Sequence, residues 1–125
     1  PIDNFLWDTL FYPLGFQEMA WSRCPMGHPM GATGLYIRTV DMVKLGQVYL
    51  NGGTYGDTRI ISEEWVKLTL ENGYELNKMK ENSYGKGGMN GQQLWVFPEK
   101  NHVIAWHGHH RHNADLHQWV LDYKG

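Results

Sequence analysis

The sequence predicts an α+β fold from three features. In the first half, apolar residues recur at helical spacing, as in Phe5, Leu6, Leu10 and Phe11 and again in Val40, Val43, Leu45 and Val48. Beyond Gly73 the period changes to short apolar runs at 94–97 and 103–106, split by Pro98-Glu99-Lys100-Asn101, a loop of hairpin length. The end returns to helical spacing with Leu116, Trp119, Val120 and Tyr123. The architecture expected is a three-stranded antiparallel sheet with packed helices, in a single domain over residues 1–125.

Each element has its own signals. Asp3 is placed to cap a first helix that carries Phe5 to Phe11 and stops at Pro13 and Gly15. Residues 17–34, with two Pro, three Gly and scattered Met, read as a loop. Thr39 is the expected N-cap of the next helix, with Asp41 in the first turn, where the helix dipole favours an anion. Asn51-Gly52-Gly53 ends that helix. Ser62 caps a third, with Glu63 and Glu64 in its first turn and Asn72-Gly73 closing it. Residues 83–88 supply a glycine-weakened strand, and 92–97 and 102–106 form the hairpin. Consecutive apolar residues in both hairpin strands predict cover on both faces. The last helix spans residues 114–123.

Composition narrows the function classes. With 125 residues, 42% of them apolar, the chain has surface for one packed core and too little length for two. A net charge of -2 leaves no basic face of the kind nucleic acid attracts, so no nucleic-acid partner is expected. No run approaches the ~18 apolar residues of a membrane span. The lone Cys24 cannot form an internal disulfide and reads as a free buried thiol. No leader pattern precedes Pro1, and the missing initiator Met points to a processed or cut chain.

Residues 83–100, SYGKGGMNGQQLWVFPEK, carry two competing chemical patterns that share Lys86. Ser83 and Lys86 have the spacing of a nucleophile and its base, while Lys86-Gly87-Gly88 is a cation followed by small residues. The first pattern needs a helix to bring Ser and Lys onto one face, and Gly85, Gly87 and Gly88 argue against a helix there. On a strand, residues three apart point to opposite faces. Tyr49-Leu50-Asn51 resembles a second catalytic triplet, but it sits at a helix end, where Tyr49 reads as a packing residue.

The stretch GATGLYIRTVDMVKLGQVYLNGGTYGDTRIISEEWVKLTLENG, followed by GQQLWVFPEKNHVIAWHG, resembles the C-terminal part of the serine beta-lactamase, penicillin-binding protein and related esterase family (class C-like). The resemblance runs from about Phe5 to Tyr123 and rests on the order and spacing of the pieces. It implies the C-terminal part of the beta-lactamase/transpeptidase-like fold. It further implies that Lys86 is the third-motif cation that meets a substrate carboxylate, and that the Met89 N–H is an oxyanion donor. Gly87 and Gly88 would let substrate approach the strand, with Gly91 and Gln92 shaping the floor of the site. Gly87 stands where the family has a hydroxyl residue, and the loop to Gly91 is short, which favours the esterase or peptidase branches over a true beta-lactamase.

On this resemblance the chain contributes to acyl-serine hydrolysis of an amide or ester, with neither metal nor cofactor, but lacks the nucleophile motif and is inactive alone. Its expected partners are the missing N-terminal part of the parent enzyme and a small-molecule or peptide substrate. A homo-oligomer through an open sheet edge is also expected. The alternative is a non-catalytic peptide- or cell-wall-binding module that reuses the fold. The cluster His107, His109, His110, His112 and His117 matches no structural-zinc spacing and reads as a polar turn before the last helix.

Overall fold

The computed structural model describes residues 2–31, 33–88, 91–108 and 114–125. The chain begins with α1 (Ile2–Leu6), which runs into a π-helical segment, Trp7–Phe11, before Pro13 and Gly15 end the helical path. Asp3 lies inside the first turn of α1 and does not cap it; its carboxylate pairs with Arg23. Residues 17–34 are more ordered than a loop. β1 (Ala20–Trp21) pairs antiparallel with β2 (Leu35–Tyr36), and Arg23 bridges Pro29. Cys24 is half-buried, against the expected buried thiol.

Arg38, in extended conformation, is the N-cap of α2 (Thr39–Leu50), so Thr39 is the first helical residue and not the cap. A short hairpin, β3 (Thr54–Tyr55) with β4 (Thr58–Arg59), leads to α3 (Glu63–Asn72). There the sequence signals hold: Ser62 Oγ accepts the Trp65 N–H at 3.0 Å, and Gly73 ends the helix in the left-handed conformation at φ 68°.

The main sheet has four strands in the order β5-β6-β7-β8, all antiparallel: β5 (Asn77–Lys78), β6 (Tyr84–Gly87), β7 (Gln93–Phe97) and β8 (His102–Trp106). The expected three-stranded sheet is thus extended by β5, and two further two-stranded sheets accompany it. β5 joins β6 through Lys80-Glu81-Asn82-Ser83, in which Glu81 and Asn82 both have positive φ (54° and 52°), the primed turn that matches strand twist. A two-residue exposed polar strand has no apolar alternation to announce it.

Paired residues on neighbouring antiparallel strands share a face. Lys86, Leu94 and Ala105 stand in register on one face; Gly87, Gln93 and Trp106 stand on the other. The first face packs against α2, where a side chain at Gly46 would meet Val103 Cγ1 at 2.5 Å and Leu94 Cδ1 at 3.0 Å. The second face carries Trp95 and Phe97 against Val120 and Leu121 of α4 (Ala114–Asp122). Each such fully buried apolar side chain contributes roughly 1.5–3 kcal/mol. Lys100, in the β7–β8 turn, donates to the Leu121 and Tyr123 carbonyls and sits 5.2 Å from the centroid of the Phe97 ring, closing the C-terminal end of α4. No helix among the described residues is long and apolar enough to cross a membrane.

On its far side α2 presents Leu45 and Val48 to a second cluster built on Phe11, Leu14 and Phe16. Asp41 ties that cluster down. Its carboxylate is fully buried and bonded at 2.9 Å to both Arg38 Nε and Lys44 Nζ; Arg38 also reaches Gln17, and Lys44 donates to the Gly15 carbonyl at 3.2 Å. Burial alone would raise the Asp41 pKa, but the two cations outweigh it and hold the carboxyl below the usual carboxylate range. A depressed folded pKa means that this stabilisation is present above the ordinary value of about 3.9 and is lost as pH falls through the lower folded value. Asp41→Asn should therefore cost about 1.5–3 kcal/mol in urea unfolding at pH 7. The gap between the two proteins should narrow as pH falls below the ordinary carboxylate value of about 3.9.

Candidate functional site

The predicted site residues gather where β6 ends and β7 begins. Lys86 projects from β6 on the α2 face, half-exposed, and its ammonium pairs with the Glu75 carboxylate. That contact holds the Glu75 carboxyl below the usual carboxylate range, chiefly through the hydrogen bond from Lys86 and then through its charge. Glu75 reaches Lys86 because the chain leaves α3 at Gly73 and turns into β5, which runs beside β6.

Gly87 closes β6 opposite Gln93. A Cβ on Gly87 would fall 2.6 Å from Gln93 Nε2, and Gln93 is held in place because its Oε1 accepts the Trp95 indole N–H at 2.9 Å. A Cβ on Gly88 would fall 2.1–2.6 Å from the Gln92 side chain. Both glycines leave space that side chains of this protein itself occupy. The Gly88 N–H donates to the Gln92 carbonyl at 2.8 Å and the Gly91 N–H to the Gly88 carbonyl at 3.2 Å; Gly91 takes a φ of 90°, which suits glycine. Lys86, Gly87, Gly88, Gly91 and Gln92 are thus brought together in one tight strand–turn–strand unit. Met89, the expected oxyanion donor, lies outside the described residues.

Ser83 is no nucleophile in this geometry. It is fully buried, precedes β6 in the hairpin turn, and its hydroxyl donates to the Lys80 carbonyl. Tyr49 sits half-buried in the last turn of α2. Burial pushes its phenol pKa up, and the Glu75 carboxylate adds to that shift. A raised pKa suits packing better than proton relay near neutral pH.

The histidines divide. His107, just past β8, has its Nδ1 2.6 Å from Thr39 Oγ1 at the start of α2, so it ties the end of β8 to that helix. His117 of α4 lies against Trp95 and Trp106, with ring centroids at 5.2 and 5.6 Å. His109, His110 and His112 lie outside the described residues. Among the described residues no group of three or more His, Cys, Asp or Glu is placed to hold a metal ion.

The sequence reading missed Glu75, which the ion pair with Lys86 makes part of the site. The signal available was faint: an acidic residue two positions past the helix-ending Gly73, with no spacing rule to tie it to Lys86.

Comparison with known proteins places this geometry. No family model matches the chain. A stretch of 43 residues, 34% of this chain, is 46% identical to a protein of Escherichia coli O157:H7 described as "Putative D-alanyl-D-alanine carboxypeptidase". The solved structure described as "Putative 6-aminohexanoate-dimer hydrolase from Bacillus anthracis" superposes with a TM-score of 0.76 over 94% of this chain, at 16% identity. The chain spans 10% of the length of the first and 35% of the second. The solved structure has the beta-lactamase/transpeptidase-like fold, and this chain shares the part of that fold on which it superposes. Both similar proteins fit the serine beta-lactamase, penicillin-binding protein and related esterase family that the sequence resembles.

Proposed function

We propose that these residues form a single domain, the C-terminal part of a serine beta-lactamase-like acyl hydrolase that cleaves an amide or ester through an acyl-serine. The observation that carries this reading is the strand–turn–strand unit at the end of β6, where a cation, Lys86, is followed by two glycines against a hairpin strand, within a fold shared with a hydrolase. In this reading Lys86 receives the carboxylate or carbonyl end of the substrate. Gly88 and Gly91, joined by the hydrogen bond from the Gly91 N–H to the Gly88 carbonyl, line the path of the substrate, and the oxyanion donor assigned in this reading is the Met89 N–H. The attacking serine and its base come from the N-terminal part of the enzyme. The reading calls on no metal or cofactor.

The chain alone then has a cation and an oxyanion donor but no attacking oxygen. Its turnover of nitrocefin and of short-chain nitrophenyl esters should equal the buffer rate. Hydrolysis that disappears in Ser83→Ala would overturn this and make Ser83 the nucleophile.

The sheet also has an unpaired edge among the described residues. β8 is last in the strand order, its residues are only half-buried, and its outer backbone groups are available to another strand. We assign this edge to a strand of the N-terminal part of the enzyme and, in its absence, to a second copy of the chain. Sedimentation across a concentration series should show association that weakens in Ile104→Pro, which places a ring in the edge strand. A monomer at every concentration, with slow amide exchange along 102–106, would contradict it.

A further inference from the structure

We infer that Glu75 is a specificity-determining residue. By occupying the Lys86 ammonium, it biases the site against ligands that carry a carboxylate and toward neutral esters and amides. The inference rests on the reading of Lys86 as the site's cation and concerns which substrates that cation accepts.

Three observations carry it. First, the Lys86–Glu75 ion pair places a carboxylate of the protein on the group that a substrate carboxylate would need. Both partners are largely exposed, at 53% and 78%, so the pair is not a buried structural bridge. Second, the backbone at Glu75 is unusual. Its φ is 65°, and the Leu76 N–H bonds back to the Tyr74 carbonyl at 2.8 Å, making Glu75 the apex of a tight three-residue turn. Glycine or asparagine adopts this conformation at less cost than glutamate. Third, the flanking residues are anchored: Tyr74 stacks on Trp65 with centroids at 6.3 Å, its N–H donates to the Thr69 carbonyl, and Leu76 is buried. The Glu75 side chain is thereby held outward beside β6.

The electrostatic consequence follows from competition. An incoming carboxylate meets an ammonium whose charge Glu75 already offsets, so its apparent affinity falls by up to the strength of the internal pair. Exposed pairs of this kind change an equilibrium by roughly two- to fivefold. A neutral ester presents no rival anion, can accept a hydrogen bond from Lys86 without displacing Glu75, and loses little.

The test titrates the chain with N-acetylalanine and, separately, with its methyl ester, following the backbone amide signals of Lys86, Gly87 and Gly88 by NMR. Glu75→Gln should tighten N-acetylalanine binding about two- to fivefold and leave the ester unchanged. With Lys86→Gln added to Glu75→Gln, the gain in N-acetylalanine binding should disappear. N-acetylalanine binding at 86–88 with equal affinity in wild type and Glu75→Gln would overturn the inference while leaving the site reading intact. An equal gain for both probes would overturn it too, by showing that Glu75 acts through general loosening of the turn. No response at 86–88 to either probe in either protein would remove both the inference and the reading of Lys86 on which it rests.

Discussion

The arrangement depends on how closely α2 lies on the sheet. Gly46 has no side chain because Val103 and Leu94 already occupy the space one would take. Glycine in a helix interior is unfavourable by about 0.8–1.0 kcal/mol relative to alanine, a cost accepted here for a short helix-to-sheet distance. From that contact the layers follow. One side of α2 holds β7 and β8, its other side holds the cluster around Phe11, Leu14 and Phe16, and α4 covers the sheet face that α2 does not. A sheet clamped on both faces carries β6 at a fixed height and twist.

The site inherits its rigidity from that clamp rather than from its own contacts. β6 has two glycines in four residues and little side-chain packing, yet its position is set by pairing with β7, whose Trp95, Val96 and Phe97 are buried. The glycines serve two neighbours at once. Gly85 leaves room for the Trp95 ring, with a notional Cβ 3.0 Å from Trp95 Cδ1, and Gly87 leaves room for Gln93. Internal packing alone accounts for small residues here, so glycine by itself does not distinguish a binding edge from a tight hairpin. The charge pattern does more. Lys86 is a cation on the α2 face with a carboxylate drawn toward it from a strained turn.

Much of this was legible in the sequence where a single local rule decides the outcome. Ser62 as a cap, Gly73 as a stop and Pro98-Glu99-Lys100-Asn101 as a hairpin loop each rest on backbone chemistry within a few residues, and each holds. The doubly covered hairpin was likewise readable from its unbroken apolar runs. What the sequence hid depends on partners distant along the chain. β1, β2 and β5 are two residues long and exist only because another strand lies alongside. Asp41 resembled a dipole-favoured surface anion. It is instead buried, because Arg38 and Lys44 fold over it and bring residues 15–17 with them. Arg38 displaced Thr39 as the cap, leaving the Thr39 hydroxyl to meet His107 across 68 positions of sequence. Glu75 was invisible for the same reason: its meaning comes from the β5–β6 register.

The central proposal is that this fold supplies a recognition edge to a serine hydrolase whose nucleophile is not among the three serines of these 125 residues, Ser22, Ser62 and Ser83. Fluorophosphonate labelling of the protein that carries these 125 residues, with the adduct located by mass spectrometry, tests this most directly. The account predicts an adduct on a serine outside this segment and none on Ser22, Ser62 or Ser83. An adduct on Ser83 would contradict it, because that hydroxyl would have to leave the Lys80 carbonyl and its buried turn to react.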